Sequence, residues 1–363
     1  METVGLTPDF WRGRRVLVTG HTGFKGGWLY LWLQSLGAQV YGFSLPPSER
    51  SFFRVVHGAD DAATATGDLR DPSQVEAVFR ETQPEVVFHL AAQALVRVSY
   101  DEPAETFGSN VTGTVNLLEA VRRTPSVQTV LVVTSDKCYE NREQNHAFLE
   151  SDPMGGKDPY SASKACVELL TSAWRESFLQ PRVAVATARA GNVIGGGDWA
   201  VDRLIPDAIR AWESGECLVI RNPRAVRPWQ YHLDALAGYL MLSVELAQGR
   251  CVGAWNFGPE EGDMLSVEAL LRRFAAQWGG NSCWKESVDR QPHEAQLLRL
   301  DAGKARRELG WSSLFDIDDS LEQITNWHRA WRSGEDMRSF SLAQIEHYME
   351  RMNGRNNVAP GHP

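Results

Sequence analysis

The chain has 363 residues, with 37 Lys plus Arg, 46 Asp plus Glu and a formal net charge of −9. That length suggests about two domains, and the acidic balance argues against nonspecific nucleic-acid binding, although a local basic groove can still hold an anionic ligand. Five scattered cysteines (Cys138, Cys166, Cys217, Cys251 and Cys283) form no C-x-x-C pair, which predicts reduced thiols in a cytoplasmic protein and no zinc site. Met1–Arg14 carries no apolar core of a signal peptide, and no apolar run approaches the roughly 20 residues that span a bilayer.

In chain order, Arg15–Thr19 reads as a buried strand and Gly26–Leu36 as a helix closed by Gly37. Strands follow at Gln39–Phe43 and, more weakly, Ala63–Gly67, then a helix at Pro72–Thr82 and a strand at Val86–Leu90. A long helix over Pro103–Arg123 precedes a strand at Thr129–Thr134, a helix at Tyr160–Phe178 and a strand at Val183–Ala190. Strands alternating with helices imply an α/β fold, a Rossmann-type doubly wound parallel sheet over residues 1–190. Beyond Gly195-Gly196-Gly197 the elements shorten: helices near Ile205–Ser214, Ala235–Ala247, Ser266–Trp278 and Ile317–Trp331, and a strand at Leu218–Ile220. Residues 191–352 read as a smaller substrate-binding lobe, and 353–363, rich in Gly, Asn and Pro, as a disordered tail.

Gly20-His21-Thr22-Gly23-Phe24-Lys25-Gly26 sits between the first strand and the first helix. Glycine permits close approach of backbone to pyrophosphate, and the helix N-terminus offers N–H donors. This loop predicts dinucleotide binding. The ribose partner is open: the second strand ends at Ser44 with no acidic residue, while Lys25 or Arg50 could meet a 2′-phosphate, so NAD and NADP both remain. Asp68 could contact adenine or be a solvated loop carboxylate. Thr134-Ser135-Asp136-Lys137 follows the fifth strand, and Tyr160 and Lys164 share one helix face just beyond. A nearby ammonium favours phenolate, and a tyrosinate can take the proton of an alcohol during hydride transfer. His293-Glu294 has no second ligand set at metal spacing, so no metal is expected.

The loop motif, Tyr160-x-x-x-Lys164 and the alternating pattern resemble extended short-chain dehydrogenases. Thr134–Asn141, Arg189–Trp199 and Arg227-Pro228-Trp229-Gln230 narrow the likeness to the CDP-glucose 4,6-dehydratase family, over about residues 8–350. The resemblance implies bound NAD and conversion of CDP-D-glucose to CDP-4-dehydro-6-deoxy-D-glucose, for deoxysugars of surface polysaccharides. It implies cofactor contacts from Gly20, Thr22, Gly23, Phe24, Lys25, Gly26, Ser44, Asp68 and Leu69. Leu90, Ala91, Ala92 and Gln93 would line the nicotinamide side, with Ser109 near the ribose and Thr134, Tyr160 and Lys164 close by.

Under the same resemblance, Ser135 and Tyr160 hold the sugar 4-hydroxyl and Tyr160, kept anionic by Lys164 and the nicotinamide charge, takes its proton. Asp136 is the preferred acid for the 6-hydroxyl and Lys137 the candidate C5 base, in the place where relatives commonly carry Glu; the two roles can be exchanged. Asn192 and Arg227 would meet the pyrophosphate, with Leu204 and Arg299 as further nucleotide contacts and Trp229 either stacking in the pocket or packing behind it. Helices Pro103–Arg123 and Tyr160–Phe178 would form a homodimer interface. A 4-epimerase would need Tyr160 and Lys164 but no acid–base pair at C5 and C6. A non-catalytic dinucleotide sensor would need neither residue.

Overall fold

A computed structural model of the chain describes residues 6–58, 63–280, 282–287 and 295–357. Seven parallel strands form the central sheet: β1 (Arg15–Thr19), β2 (Gln39–Ser44), β3 (Thr64–Thr66), β4 (Val86–His89), β5 (Thr129–Val133), β6 (Ala184–Ala190) and β7 (Gly253–Phe257), in the order β7-β6-β5-β4-β1-β2-β3. Side chains alternate across this sheet. Val16, Val18, Val86, Phe88, Leu131 and Val133 face one core, whereas Leu17, Val87, Val130 and Val132 face the other. Both faces are therefore covered, as a parallel sheet requires.

Helix α1 (Phe24–Ser35) is apolar all round because it lies between layers: Trp28 stacks on Phe52 with centroids 4.4 Å apart, and Trp32 meets Tyr348 edge-on. Helix α2 (Pro159–Trp174) begins with Asp158 capping the Ser161 N–H at 2.9 Å and Pro159 in its first turn. Helix α3 (His232–Ala247) is buried through Leu246 and packs on β5 and β6. Helices α4 (Ile317–Ser333) and α5 (Met337–Asn357) close the molecule.

Three findings depart from the sequence-based expectations. The sheet does not end at residue 190, because β7, formed after an excursion into the smaller lobe, pairs with β6. That strand has five residues, two of them aromatic, with no periodicity to mark it. Helix α5 runs through residue 357, so 353–357 are helical, and 358–363 lie outside the described residues, as does His293-Glu294. Cys217 and Cys283 form a disulfide. The strands Leu218–Ile220 and Trp284–Glu286 pair in parallel with Leu218 opposite Trp284, which brings the two preceding cysteines side by side; their separation of 66 residues concealed this.

The predicted Pro103–Arg123 helix is continuous but contains a wider turn, Gly108–Thr112, in the π conformation. No helix among the described residues is long and apolar enough to cross a membrane.

Candidate active site

The carboxyl ends of β1, β2, β4, β5 and β6 converge on one edge of the sheet, where ligands bind in doubly wound folds. At the end of β1, Gly20 has φ +75°, and a Cβ there would stand 2.6 Å from the Ala91 nitrogen. At Gly26 a Cβ would overlap the Gly20 carbonyl. Gly23 precedes α1 without a side-chain cap, so the first-turn N–H groups keep no side-chain acceptor. This cradle fits a pyrophosphate. Thr22 and Ser44 tie it to β2: the Thr22 N–H donates to Ser44 Oγ at 3.4 Å, and the Thr22 hydroxyl donates to the Leu45 carbonyl at 3.1 Å.

The segment after β4, Leu90–Gln93, is held by Asn110 from the π turn. Asn110 Oδ1 accepts the Gln93 N–H at 2.8 Å, and its Nδ2 donates to the Gln93 carbonyl at 3.0 Å and to Ser163 Oγ at 2.8 Å. One amide thus joins the predicted nicotinamide wall to α2. Asp68 is taken by Arg70, whose Nε donates to both carboxylate oxygens, and Arg70 holds the carboxyl below its usual range. Leu69 packs in the second core, and Ser109 Oγ donates to Glu105 at 3.3 Å.

A cleft of about 290 Å³ opens between the sheet edge and the smaller lobe. It is lined by Phe24, Lys25, Thr134, Ser135, Asp136, Lys137 and Tyr160 from one side and by Asn192, Leu204, Arg227 and Trp229 from the other. Trp229 both lines the cleft and packs behind it, donating its indole N–H to the Leu265 carbonyl at 2.9 Å. Arg299 does not line the cleft. Its strand pairs with Ala147–Phe148, and its guanidinium donates to Asn145 Oδ1 at 2.8 Å.

Lys25 lines the cleft beside Asp136 and Tyr160 instead of extending toward the end of β2, and burial with Lys164 and Arg203 nearby lowers it to about 7.

Ser135 caps a short turn, Asp136–Cys138. Its Oγ accepts the Lys137 N–H at 3.2 Å and donates to Asp136 Oδ1 at 3.0 Å. Burial pushes Asp136 up to about 6, against the pull of Lys137, the Ser135 bond, Arg227 and Lys25. Its Oδ2 is buried without a partner beside Gly191, where a Cβ would stand 3.2 Å from it.

Burial also pushes Tyr160 up to about 12, and the groups that lower it most are Ser135 and Arg203. Lys164 is not among the main causes of this shift. Lys164 is itself lowered to about 8 by burial, and its Nζ donates to the Val133 carbonyl at 3.2 Å.

The sequence pattern did not disclose the floor of this site. Glu168, one turn beyond Lys164, pairs with Arg189 at 2.8 Å and accepts from the hydroxyls of Thr134 and Thr187. Arg189 also donates to the Tyr139 hydroxyl at 2.7 Å, and Tyr139 donates to Asn256 at 2.6 Å. His89 is buried between Thr19 and Thr114, and burial lowers it to about 3, so it serves as a neutral spacer.

The family model described as GDP-mannose 4,6 dehydratase matches residues 17–324. The chain belongs to this family. It is 46% identical over 353 residues to the CDP-glucose 4,6-dehydratase of Salmonella typhimurium, covering 95% of this chain and 98% of that protein. The structure of a dTDP-glucose 4,6-dehydratase from Streptomyces venezuelae with NAD bound aligns with TM-score 0.76 at 26% identity, over 88% of this chain and 98% of that one. A UDP-glucose 4-epimerase from Thermus thermophilus in complex with NAD aligns with TM-score 0.75 at 26% identity, over 86% and 98%. Within the GDP-mannose 4,6 dehydratase family fold, the sequence reading missed Arg97, Tyr100 and Arg203, which also line the cleft. Each sits in a loop or short element, where no periodicity marks a functional face.

Proposed function

We propose that this chain is an NAD-dependent hydro-lyase that converts CDP-D-glucose to CDP-4-dehydro-6-deoxy-D-glucose. The observation that carries the reading is Asp136 beside Tyr160 in one cleft, with a carboxyl whose burial keeps it available as an acid. An epimerase needs Tyr160 and Lys164 but has no use for such an acid. The 46% identity with a CDP-glucose 4,6-dehydratase supports the sugar nucleotide.

The loop from Gly20 to Gly26 would hold the pyrophosphate of NAD, with Leu90–Gln93 along the nicotinamide. Bound NAD supplies a hydride acceptor at C4 of the sugar and gives the hydride back at C6. The protein's own groups leave Tyr160 neutral. Tyr160 would take the 4-hydroxyl proton once a positive nicotinamide beside it favours the phenolate. The 4-keto group then acidifies C5–H. Lys137, lining the cleft, is the proposed C5 base, and Asp136 protonates the departing 6-hydroxyl. Arg227, 3% exposed and anchored to the Val226 carbonyl at 3.0 Å, is the proposed pyrophosphate contact with Asn192.

Purified protein incubated with CDP-, dTDP-, UDP- and GDP-linked glucose should form a 4-keto-6-deoxy sugar from the CDP substrate. Turnover of another nucleotide with none of CDP-glucose overturns the substrate assignment. Lys137→Ala should leave reduced nicotinamide forming on substrate addition while dehydration slows; an unchanged dehydration rate removes Lys137 as base.

A homodimer is part of the same reading, supported by apolar side chains open on the two predicted interface helices: Leu169 is 63% and Phe178 55% exposed on one, and Phe107 36% on the other. A monomer mass in solution light scattering overturns it. Nucleotide sugars and NAD are cytoplasmic metabolites, which supports that location for the reaction.

A further inference from the structure

Sugar nucleotides that carry the same hexose differ only in their base, so a cleft that tells them apart must hold groups for the base as well as for the sugar. Asp202, in the turn before the helix Leu204–Glu213, lines the cleft between two guanidinium groups. Arg97, from the helix Val96–Asp101 on the sheet side, donates to Asp202 Oδ1 at 3.3 Å. Arg221, just beyond the strand Leu218–Ile220 of the smaller lobe, donates to the same oxygen at 3.4 Å. Asp202 has φ +60°, a left-handed conformation that Asp and Asn adopt more readily than other side chains.

Both cations reach one oxygen. Among the described residues the other, Oδ2, has no hydrogen-bond partner, and neither has Nε or Nη2 of Arg221. The neighbouring Arg203 does not compete for Asp202, because it is committed to Asp198 at 2.9 Å. One acceptor and a set of donors are thus left open on two side chains that an ion pair holds together. Apolar surface lies next to them. Tyr100, one helical turn from Arg97, is 38% exposed, and Val219, on the open side of its strand two residues before Arg221, is 52% exposed. Both line the cleft. Arg221 and Arg227 flank one turn, in which the Ala225 N–H donates to the Asn222 carbonyl at 3.1 Å. A nucleoside attached to a pyrophosphate at Arg227 can follow this turn to Arg221.

We propose that Asp202 and Arg221 select the cytosine base, the carboxylate accepting from its N4 amino group and the guanidinium donating to N3 and O2.

This rests on a cytidine nucleotide being the substrate, and names the groups that recognise it. Cytosine presents one donor and two acceptors in a row along this edge, the complement of a carboxylate oxygen followed by guanidinium N–H groups. Uracil and thymine carry a carbonyl at position 4 and an N–H at position 3. The first would face Oδ2 oxygen to oxygen, and the second would face Arg221 hydrogen to hydrogen. The pair that holds cytosine therefore repels both. Guanine inverts all three positions and adds a second ring.

The test measures kcat/KM for CDP-glucose and UDP-glucose, and the affinities for CDP and UDP alone by calorimetry. It compares unaltered protein with Asp202→Asn and Arg221→Ala. Asparagine keeps the size of the side chain, tolerates the left-handed backbone and can turn its amide N–H toward a carbonyl at position 4. Unaltered protein should favour the cytidine nucleotide in both assays. Asp202→Asn should lower kcat/KM for CDP-glucose about tenfold to a hundredfold, more through KM than through kcat, and raise it for UDP-glucose. The affinities for CDP and UDP should move in the same opposite directions. Arg221→Ala should narrow the preference by weakening CDP alone, which decides the matter where Asp202→Asn does not fold.

Variants that weaken CDP and UDP alike, as loss of a mere strut in the cleft wall would, overturn the proposal. Product from CDP-glucose with an unchanged base preference in both variants overturns base selection alone. If unaltered protein forms no 4-keto-6-deoxy product, yet binds CDP more tightly than UDP and loses that preference in Asp202→Asn, the dehydratase reading fails and base selection stands.

Discussion

At the scale of single residues, the site is governed by burial more than by charge pairing. Tyr160, Lys164, Lys25 and Asp136 are all displaced toward their neutral forms, with burial the largest cause in each case. For Asp136 the consequence is a pH dependence. The acid form is the one that protonates a leaving hydroxyl, and its proton is half lost near pH 6. Dehydration at limiting substrate should therefore rise as pH is lowered from about 8 toward 6 and level off below that. A rate that climbs with pH across this range would exclude Asp136 as the acid. Asp136→Asn should slow elimination by about 10²–10⁴-fold while substrate still reduces the nicotinamide, which then accumulates as a stable absorbance. Loss of both signals together would place Asp136 in the oxidation step instead.

At the scale of elements, the catalytic turn and α2 are locked by a buried ion pair that contributes no chemistry of its own. Glu168 and Arg189, each about 5% exposed, share Thr134, Thr187 and Tyr139 between them. Glu168→Ala should cost about 3–5 kcal/mol in urea unfolding because Arg189 is left charged and unpaired. Glu168→Leu combined with Arg189→Met should recover much of that loss, and a double variant no better than the single one would show that the hydroxyl network carries the stability.

This layer explains what could be read in advance. Strands β1, β4 and β5 announced themselves as valine-rich runs, and the glycine loop and Tyr160–Lys164 carried fixed spacings. The Glu168–Arg189 pair and the Asn110 clamp did not, because each joins residues 17 to 53 positions apart through side chains that look like ordinary helix or strand polarity. The anchoring of Lys164 was hidden for a related reason. Spacing places Lys164 on the same helix face, but the Val133 carbonyl, invisible in the sequence, holds its ammonium.

At the scale of the whole molecule, α5 is secured through Asp234, which is buried at the start of α3. Its Oδ1 accepts from the Tyr348 hydroxyl and from the Leu314 N–H, both at 2.8 Å, and burial pushes the carboxyl up to about 7. The native state thus holds a proton that the unfolded chain releases near pH 4. This group's contribution to stability is full below that value and is lost as pH rises toward 7. The melting temperature should fall between pH 5 and 8, and Asp234→Asn, which keeps an acceptor for both donors, should flatten that fall. An identical slope in the variant would assign it to other groups. Alkylation of unreduced, unfolded protein should modify three of the five cysteines, Cys138, Cys166 and Cys251; modification of all five would show that the Cys217–Cys283 bond does not form.

The route of the chain through β7 has a consequence for synthesis. A ribosome releases β1 to β6 first, and the strand that covers the open edge of β6 emerges only after the first part of the smaller lobe has been made. Until Phe257 is out, the nascent sheet presents an unpaired parallel edge, the kind of surface that recruits strands from other chains. Truncation anywhere between β6 and β7 should therefore give aggregates instead of a free-standing nucleotide-binding half. The central sheet is therefore completed only after the chain between β6 and β7 has been made.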